Sequence, residues 1–140
     1  MPTRKASAVW NGGLRGGTGS FKGSTGLAGA YSFSSRFENG AGSNPEELLA
    51  AAEAACFSMA LAGALEKNGT PATKVETNAD CTVEKVGDGF TVTTIALTTK
   101  AAVPKIDKQT FDRIAEETKV GCPVSRALKA VNITLQARLV

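Results

Sequence analysis

The chain has 140 residues, 42% of them apolar, with 16 lysines and arginines against 13 acidic residues, a formal charge of +3 and no histidine. That is enough chain for one domain, residues 1–140, with its own core, and its basic residues are scattered, which leaves no electrostatic footprint for nucleic acid. Three cysteines with no histidine and no Cys-x-x-Cys pair make a poor zinc set. The first twenty residues carry no apolar h-region, so neither secretion nor a membrane is expected, and a reactive thiol in a reduced, cytoplasmic setting fits best.

In chain order, Arg4 to Asn11 alternates through Ala6, Ala8 and Trp10 and breaks at Gly12-Gly13, which predicts a strand and a turn. A short strand around Ser20 to Ser24 follows Gly16-Gly17 and Gly19. From Ala30 to Phe37, Tyr31, Phe33 and Ser35 alternate with Ser32, Ser34 and Arg36, which predicts the third strand of an antiparallel meander. The glycines read as turns, because no phosphate-binding glycine pattern sits at a strand-to-helix junction.

Asn44 to Leu65 reads as one central helix. Ser43 or Asn44 caps it, Pro45 fits its first position, and Glu46 and Glu47 lie in the first turn, where the dipole favours anions. Gly69 stops it after a polar last turn. Only Glu53, Ser58 and Gly63 interrupt its apolar body, so protein is expected to enclose it on most sides, and the interrupted run favours a soluble core over a bilayer span. At about 100° per residue, Glu46, Glu53 and Cys56 fall within an arc of roughly 80°. Cys56 is then either a small core hydrophobe or a reactive thiol. Glu53 is costly to bury unpaired, which predicts a nearby cation or a site open to ligand.

Val75 to Val86 alternates cleanly, with Val75, Thr77, Ala79, Cys81 and Val83 on one face, which makes Cys81 a structural thiol. Gly87-Asp88-Gly89 is a hairpin turn and Phe90 to Ala102 the return strand. Asp107 caps a helix from Lys108 to about Lys119 that buries Phe111, Ile114 and Ala115. A second helix starts at Pro123, with Val124, Ala127 and Leu128 inward, and Val131 to Val140 is a final strand. Cys122 lies at that helix start, where free N–H groups are expected to lower a thiol pKa; local chemistry makes it a stronger thiolate than Cys56, or else an ordinary capping thiol. Two cysteines in unusual settings suggest a redox pair.

Asn44-Pro-Glu-Glu-Leu-Leu, then Ala-Ala-Cys56-Phe-Ser-Met, Val103-Pro before a helix, and Cys122-Pro-Val-Ser closely resemble the OsmC/Ohr family of thiol peroxidases over nearly the whole chain. Ser35-Arg36-Phe37, Phe-Ser-Met and Cys-Pro-Val-Ser resemble the osmotically inducible OsmC branch more than the organic hydroperoxide resistance branch. The resemblance implies an α+β fold, with antiparallel sheets wrapped around the long central helix in an intertwined homodimer with its sites at the interface. It also implies that Cys56 is the peroxidatic cysteine and Cys122 the resolving cysteine, with Arg36 and Glu46 activating the thiolate. Arg15, in an early glycine-flanked loop, matches the arginine of the sister branch, and Glu53 stands where relatives often carry histidine.

The implied activity is reduction of organic hydroperoxides, and of hydrogen peroxide, in oxidative or osmotic stress. It passes through a cysteine sulfenic acid and an intramolecular disulfide, needs no bound cofactor, and relies on an external thiol or lipoyl-type dithiol. A different class, a non-catalytic module binding a small lipid-like molecule in the interface pocket, needs neither the cysteine pair nor an arginine. Glu46 and Cys56 share a helix face but lie roughly 15 Å apart along it at about 1.5 Å per residue, which favours Glu46 of one subunit acting on Cys56 of the other.

Overall fold

The computed structural model describes residues 1–140. They form two compact units, Met1–Glu47 and Leu48–Val140.

In the first unit, β1 (Ala6–Asn11), β2 (Thr18–Gly23) and β3 (Ala28–Tyr31) form an antiparallel meander in the order β1-β2-β3. One face carries aromatic rings: Trp10 and Tyr31 have centroids 5.4 Å apart, and Phe21 and Tyr31 6.0 Å. Gly19 lies between them, and a Cβ there would stand 2.6 Å from the Tyr31 ring and 2.7 Å from that of Trp10, so only glycine lets the rings close over the strand.

The expected continuation of β3 to Phe37 is corrected. The chain turns at Ser32 into a short helix, α1 (Phe33–Phe37). The Ser32 hydroxyl accepts the Ser35 N–H at 3.1 Å, and the Ser35 hydroxyl accepts the Ser32 N–H at 2.8 Å. This reciprocal cap outweighs the weak alternation of small polar residues. Asn44 then caps α2 (Pro45–Lys67), its side-chain oxygen accepting the Glu47 N–H at 2.8 Å.

The second unit holds most of α2, then β4 (Lys74–Val86), β5 (Gly89–Ala102), α3 (Lys108–Gly121), α4 (Pro123–Ala127) and β6 (Asn132–Leu139). Helix α2 ends as expected, with Gly69 at φ 83° and the Thr70 N–H donating to the Leu65 carbonyl. Strands β4 and β5 form a hairpin around Gly87-Asp88, Gly87 taking φ 62°. β6 pairs with β5 in parallel, so this sheet is mixed where antiparallel sheets were expected. The cause is the connection: α3 and α4 carry the chain back across the sheet, and a crossover of that length returns a strand in the same direction. The register sets Ile95 beside Ile133 and Leu97 beside Leu135, aligning their apolar faces.

The core is built from Phe57, Leu61 and Leu65 of α2, spaced at four residues, with Ile95, Leu97 and Ala101 of β5 and Phe111, Ile114 and Ala115 of α3. Burying each large side chain contributes about 1.5–3 kcal/mol. Asp107 caps α3 by accepting the Thr110 N–H at 2.9 Å. In α4 the inward residue is Ser125; Ala127, expected inward, is exposed.

The expected enclosure of α2 is also corrected. By length and composition it is apolar enough to cross a membrane, yet Glu53, Phe57, Leu61 and Leu65 are fully buried in protein. Ala51, Ala55, Met59 and Gly63 form an exposed stripe along it, Met59 being 82% exposed. One chain does not cover that face.

Candidate active site

In the first unit the candidate residues Arg36 and Glu46 form an ion pair. α1 presents Arg36, and α1 is fastened to the start of α2 on both sides: the Ser35 hydroxyl donates to the Ser43 carbonyl at 2.7 Å, and the Asn44 side-chain amide donates to the Ser35 carbonyl at 3.0 Å. Arg36 Nε lies 3.1 and 3.3 Å from the two Glu46 carboxylate oxygens, and Nη2 lies 2.8 Å from Oε1. This is a side-on fork, which fixes the plane of the guanidinium. Glu46 is buried at 5% exposure, whereas Arg36 keeps about a third of its side chain in solvent and packs over the Phe37 ring at 5.0 Å. Arg15 lies close by, over the Phe33 ring at 4.4 Å, and that ring packs against Phe37 with centroids 5.1 Å apart. Of the two candidate arginines, Arg36 is the one joined to Glu46.

In the second unit the sulfurs meet a carboxyl group. Cys122 ends α3 and caps α4, and is almost fully buried. Its sulfur accepts the Ser125 N–H at 3.4 Å, lies 3.1 Å from the Ser125 hydroxyl, and donates to Glu53 Oε1 at 3.5 Å. The Ser125 hydroxyl donates to the same Glu53 oxygen at 2.5 Å. Cys56, one turn along α2 from Glu53 and half-buried, is near enough to Cys122 to raise the pKa of its thiol. None of the three cysteines is in a disulfide, and Cys81 sits on the core-facing side of β4.

The Cys122 thiol is raised above its ordinary pKa, against the expected lowering. Burial is the largest cause, and the neighbouring Cys56 thiol and the charge of Glu53 add to it, while the Ser125 hydroxyl and N–H pull the other way. The helix that Cys122 caps has only five residues, and its end does not offset burial beside a carboxylate.

Of its two expected surroundings, a cation or a site, Glu53 has no ion-pair partner and lies against the Cys122 thiol. Its Oε1 meets a hydroxyl and a thiol, and its Oε2 is buried with no hydrogen-bond partner. Ser125 was not singled out from the sequence. The signal is the spacing Cys122-Pro-Val-Ser125, in which the third helical residue folds back on the capping one. A surface cavity of about 420 Å³ between the end of α2 and α3 is lined by Ala64, Lys67, Arg113 and Glu117 among others, with no sulfur in its lining.

An α+β chain with two neighbouring free thiols beside a buried carboxyl, and with an arginine–glutamate fork, has the makings of a thiol redox protein. The family model described as OsmC-like protein matches residues 38–136. The chain is 46% identical over 138 residues to Peroxiredoxin OsmC of Escherichia coli (strain K12), covering 97% of this chain and 96% of that one. It belongs to the OsmC family. In fold it is similar to an OsmC-like protein from Mycoplasma pneumoniae, with a TM-score of 0.76 at 15% identity and coverage of 99% and 98% of the two chains. It is likewise similar to the organic hydroperoxide resistance protein OhrB of Bacillus subtilis, with a TM-score of 0.70 at 22% identity, covering 96% and 98%.

Proposed function

We propose that this chain is a peroxiredoxin-like, cysteine-based peroxidase that reduces organic hydroperoxides, and hydrogen peroxide less readily, through Cys56. The observation that carries the proposal is the neighbouring pair of free thiols Cys56 and Cys122, one half-buried and one buried beside Glu53, in a chain so similar to a peroxiredoxin. The Cys56 thiolate attacks the peroxide O–O bond, releases an alcohol, and becomes a sulfenic acid. Cys122 condenses with it to a disulfide and water, and an external thiol or lipoyl-type dithiol restores both thiols. No bound cofactor enters the cycle.

Arg36 stabilises the thiolate and orients the peroxide. Glu46 occupies the Nε and Nη2 edge of the guanidinium, which leaves Nη1 to face substrate. Ala55 and Met59, the exposed apolar residues beside Cys56 on α2, favour an alkyl group over water on the leaving side. The active form is a homodimer, supported by the exposed apolar stripe of α2, and the protein works in the cytoplasm in stress defence. The test is peroxide consumption with hydrogen peroxide, an alkyl hydroperoxide, and either glutathione or a lipoyl dithiol. Turnover is expected to be fastest with the alkyl substrate and the dithiol; no consumption with any pair contradicts the proposal.

A further inference from the structure

Glu53 is the one fully buried carboxyl group in the chain, and neither the attack on peroxide nor the arginine fork uses it. Burial without a cation is expensive, so its position calls for a chemical reason. Its contacts are specific: Oε1 receives the Ser125 hydroxyl at 2.5 Å and the Cys122 thiol at 3.5 Å, while Oε2 is buried and unpartnered. The Ser125 hydroxyl lies 3.1 Å from the same sulfur, and the Ser125 N–H reaches it at 3.4 Å. Carboxyl, hydroxyl and thiol thus close a small ring around the Cys122 proton.

We propose that Glu53 is the general base of the resolving step, taking the Cys122 thiol proton as that sulfur attacks the Cys56 sulfenic acid, with Ser125 as the residue that positions the carboxylate. The inference rests on the peroxidase cycle given above and assigns the part that cycle leaves without a group. The atoms balance. The Cys122 sulfur forms a bond to the Cys56 sulfur, and the Cys56 S–O bond breaks. The hydroxide that leaves takes the proton from Glu53 and departs as water, returning the carboxylate. Oε1, which already receives the Cys122 thiol, is the oxygen that takes the proton. Burial keeps Cys122 protonated until this moment, and a thiol that is not already ionised needs a base. This arrangement also protects the resolving sulfur from reacting with peroxide itself, since only a thiolate attacks.

The test separates the two half-reactions. Reduced protein is mixed with one equivalent of alkyl hydroperoxide and quenched at intervals. Sulfenic acid is trapped with a cyclic dione, free thiols are alkylated, and the products are weighed by mass spectrometry. In Glu53→Gln, which keeps the shape and the acceptor for Ser125 but cannot take a proton, Cys56 oxidation is expected to proceed at the wild-type rate while disulfide formation slows at least about tenfold. Glu53→Asp, which keeps the base but withdraws it by one methylene, is expected to fall between the two. Ser125→Ala is expected to slow disulfide formation severalfold and leave Cys56 oxidation alone.

Wild-type disulfide formation in Glu53→Gln overturns the proposal, and so does Glu53→Asp being as slow as Glu53→Gln, because a purely structural role prefers the isosteric amide. If Glu53→Gln does not fold, Glu53→Asp and Ser125→Ala decide it, and an unaltered resolving rate in both overturns it. A wild-type protein that never forms sulfenic acid at Cys56 instead defeats the peroxidase cycle, a result visible in the same time course.

Discussion

At the scale of single residues, the chemistry divides between sulfurs in different surroundings. Cys56→Ser is expected to abolish peroxide turnover, Cys122→Ser to permit one reaction per site and then accumulate sulfenic acid, and Cys81→Ser to do neither, each read by peroxide consumption and mass analysis. Because burial raises the Cys122 pKa, the folded state holds this proton more tightly than the unfolded chain. Its contribution to stability is therefore fully present below the unfolded thiol value, about pH 8.5, and is lost as pH rises past it. Thermal unfolding of reduced protein followed from pH 7 to 10 should fall more steeply in the wild type than in Cys122→Ser; equal slopes contradict the burial argument. The sign of this shift was not legible locally, since the sequence places Cys122 at a helix start but says nothing of the α2 carboxylate packed on it. The same holds for Ser125 and Glu53, which are 72 residues apart and meet only in the folded chain. By contrast, Arg36, Glu46, Cys56 and Cys122 were nameable from motif order.

At the scale of elements, strong periodic patterns were legible and weak ones were not. Helix α2, the β4–β5 hairpin and α3 announce themselves through caps, glycine turns and apolar spacing. The segment from Ser32 to Phe37 does not, because small polar residues alternate as readily in a strand as they cap a helix, and the reciprocal Ser32–Ser35 bonds decide it. The direction of β6 follows from the crossover and cannot be read from its own alternation. Asn44 is the joint between elements, capping α2 with one side-chain atom and holding α1 with the other. Asn44→Ala is expected to cost about 1–2 kcal/mol in chemical denaturation. It should also lower activity, because α1 carries Arg36, while leaving the thiols reducible. Full activity in that variant shows that the fastening of α1 is unimportant to the site. Arg36→Lys, which keeps the charge but loses the side-on fork, should reduce peroxide turnover far more than Arg15→Lys; the opposite order assigns the arginine role to Arg15.

At the scale of the whole molecule, the exposed stripe of α2 is the feature one chain leaves unfinished. Placing Met59→Glu in the middle of that stripe is expected to turn a dimer into a monomer in light scattering, and an unchanged mass moves the interface elsewhere. Glu46 and Cys56 stand ten residues apart on a helix with no proline or glycine between them, so we expect Glu46 to serve the Cys56 of the partner. Inactive Glu46→Gln and Cys56→Ser chains, unfolded together and refolded, should then recover activity in the heterodimer; heterodimers that form and stay inactive place the pair within one chain. The second expectation depends on the identity of the reacting sulfurs, and that identity is tested most directly by one measurement. Reduced protein is treated with a single equivalent of alkyl hydroperoxide, alkylated, digested without reductant and analysed by mass spectrometry. The account predicts a linked peptide pair joining Cys56 to Cys122, with Cys81 alkylated; a link through Cys81, or sulfenic acid on Cys122 with Cys56 still free, contradicts it.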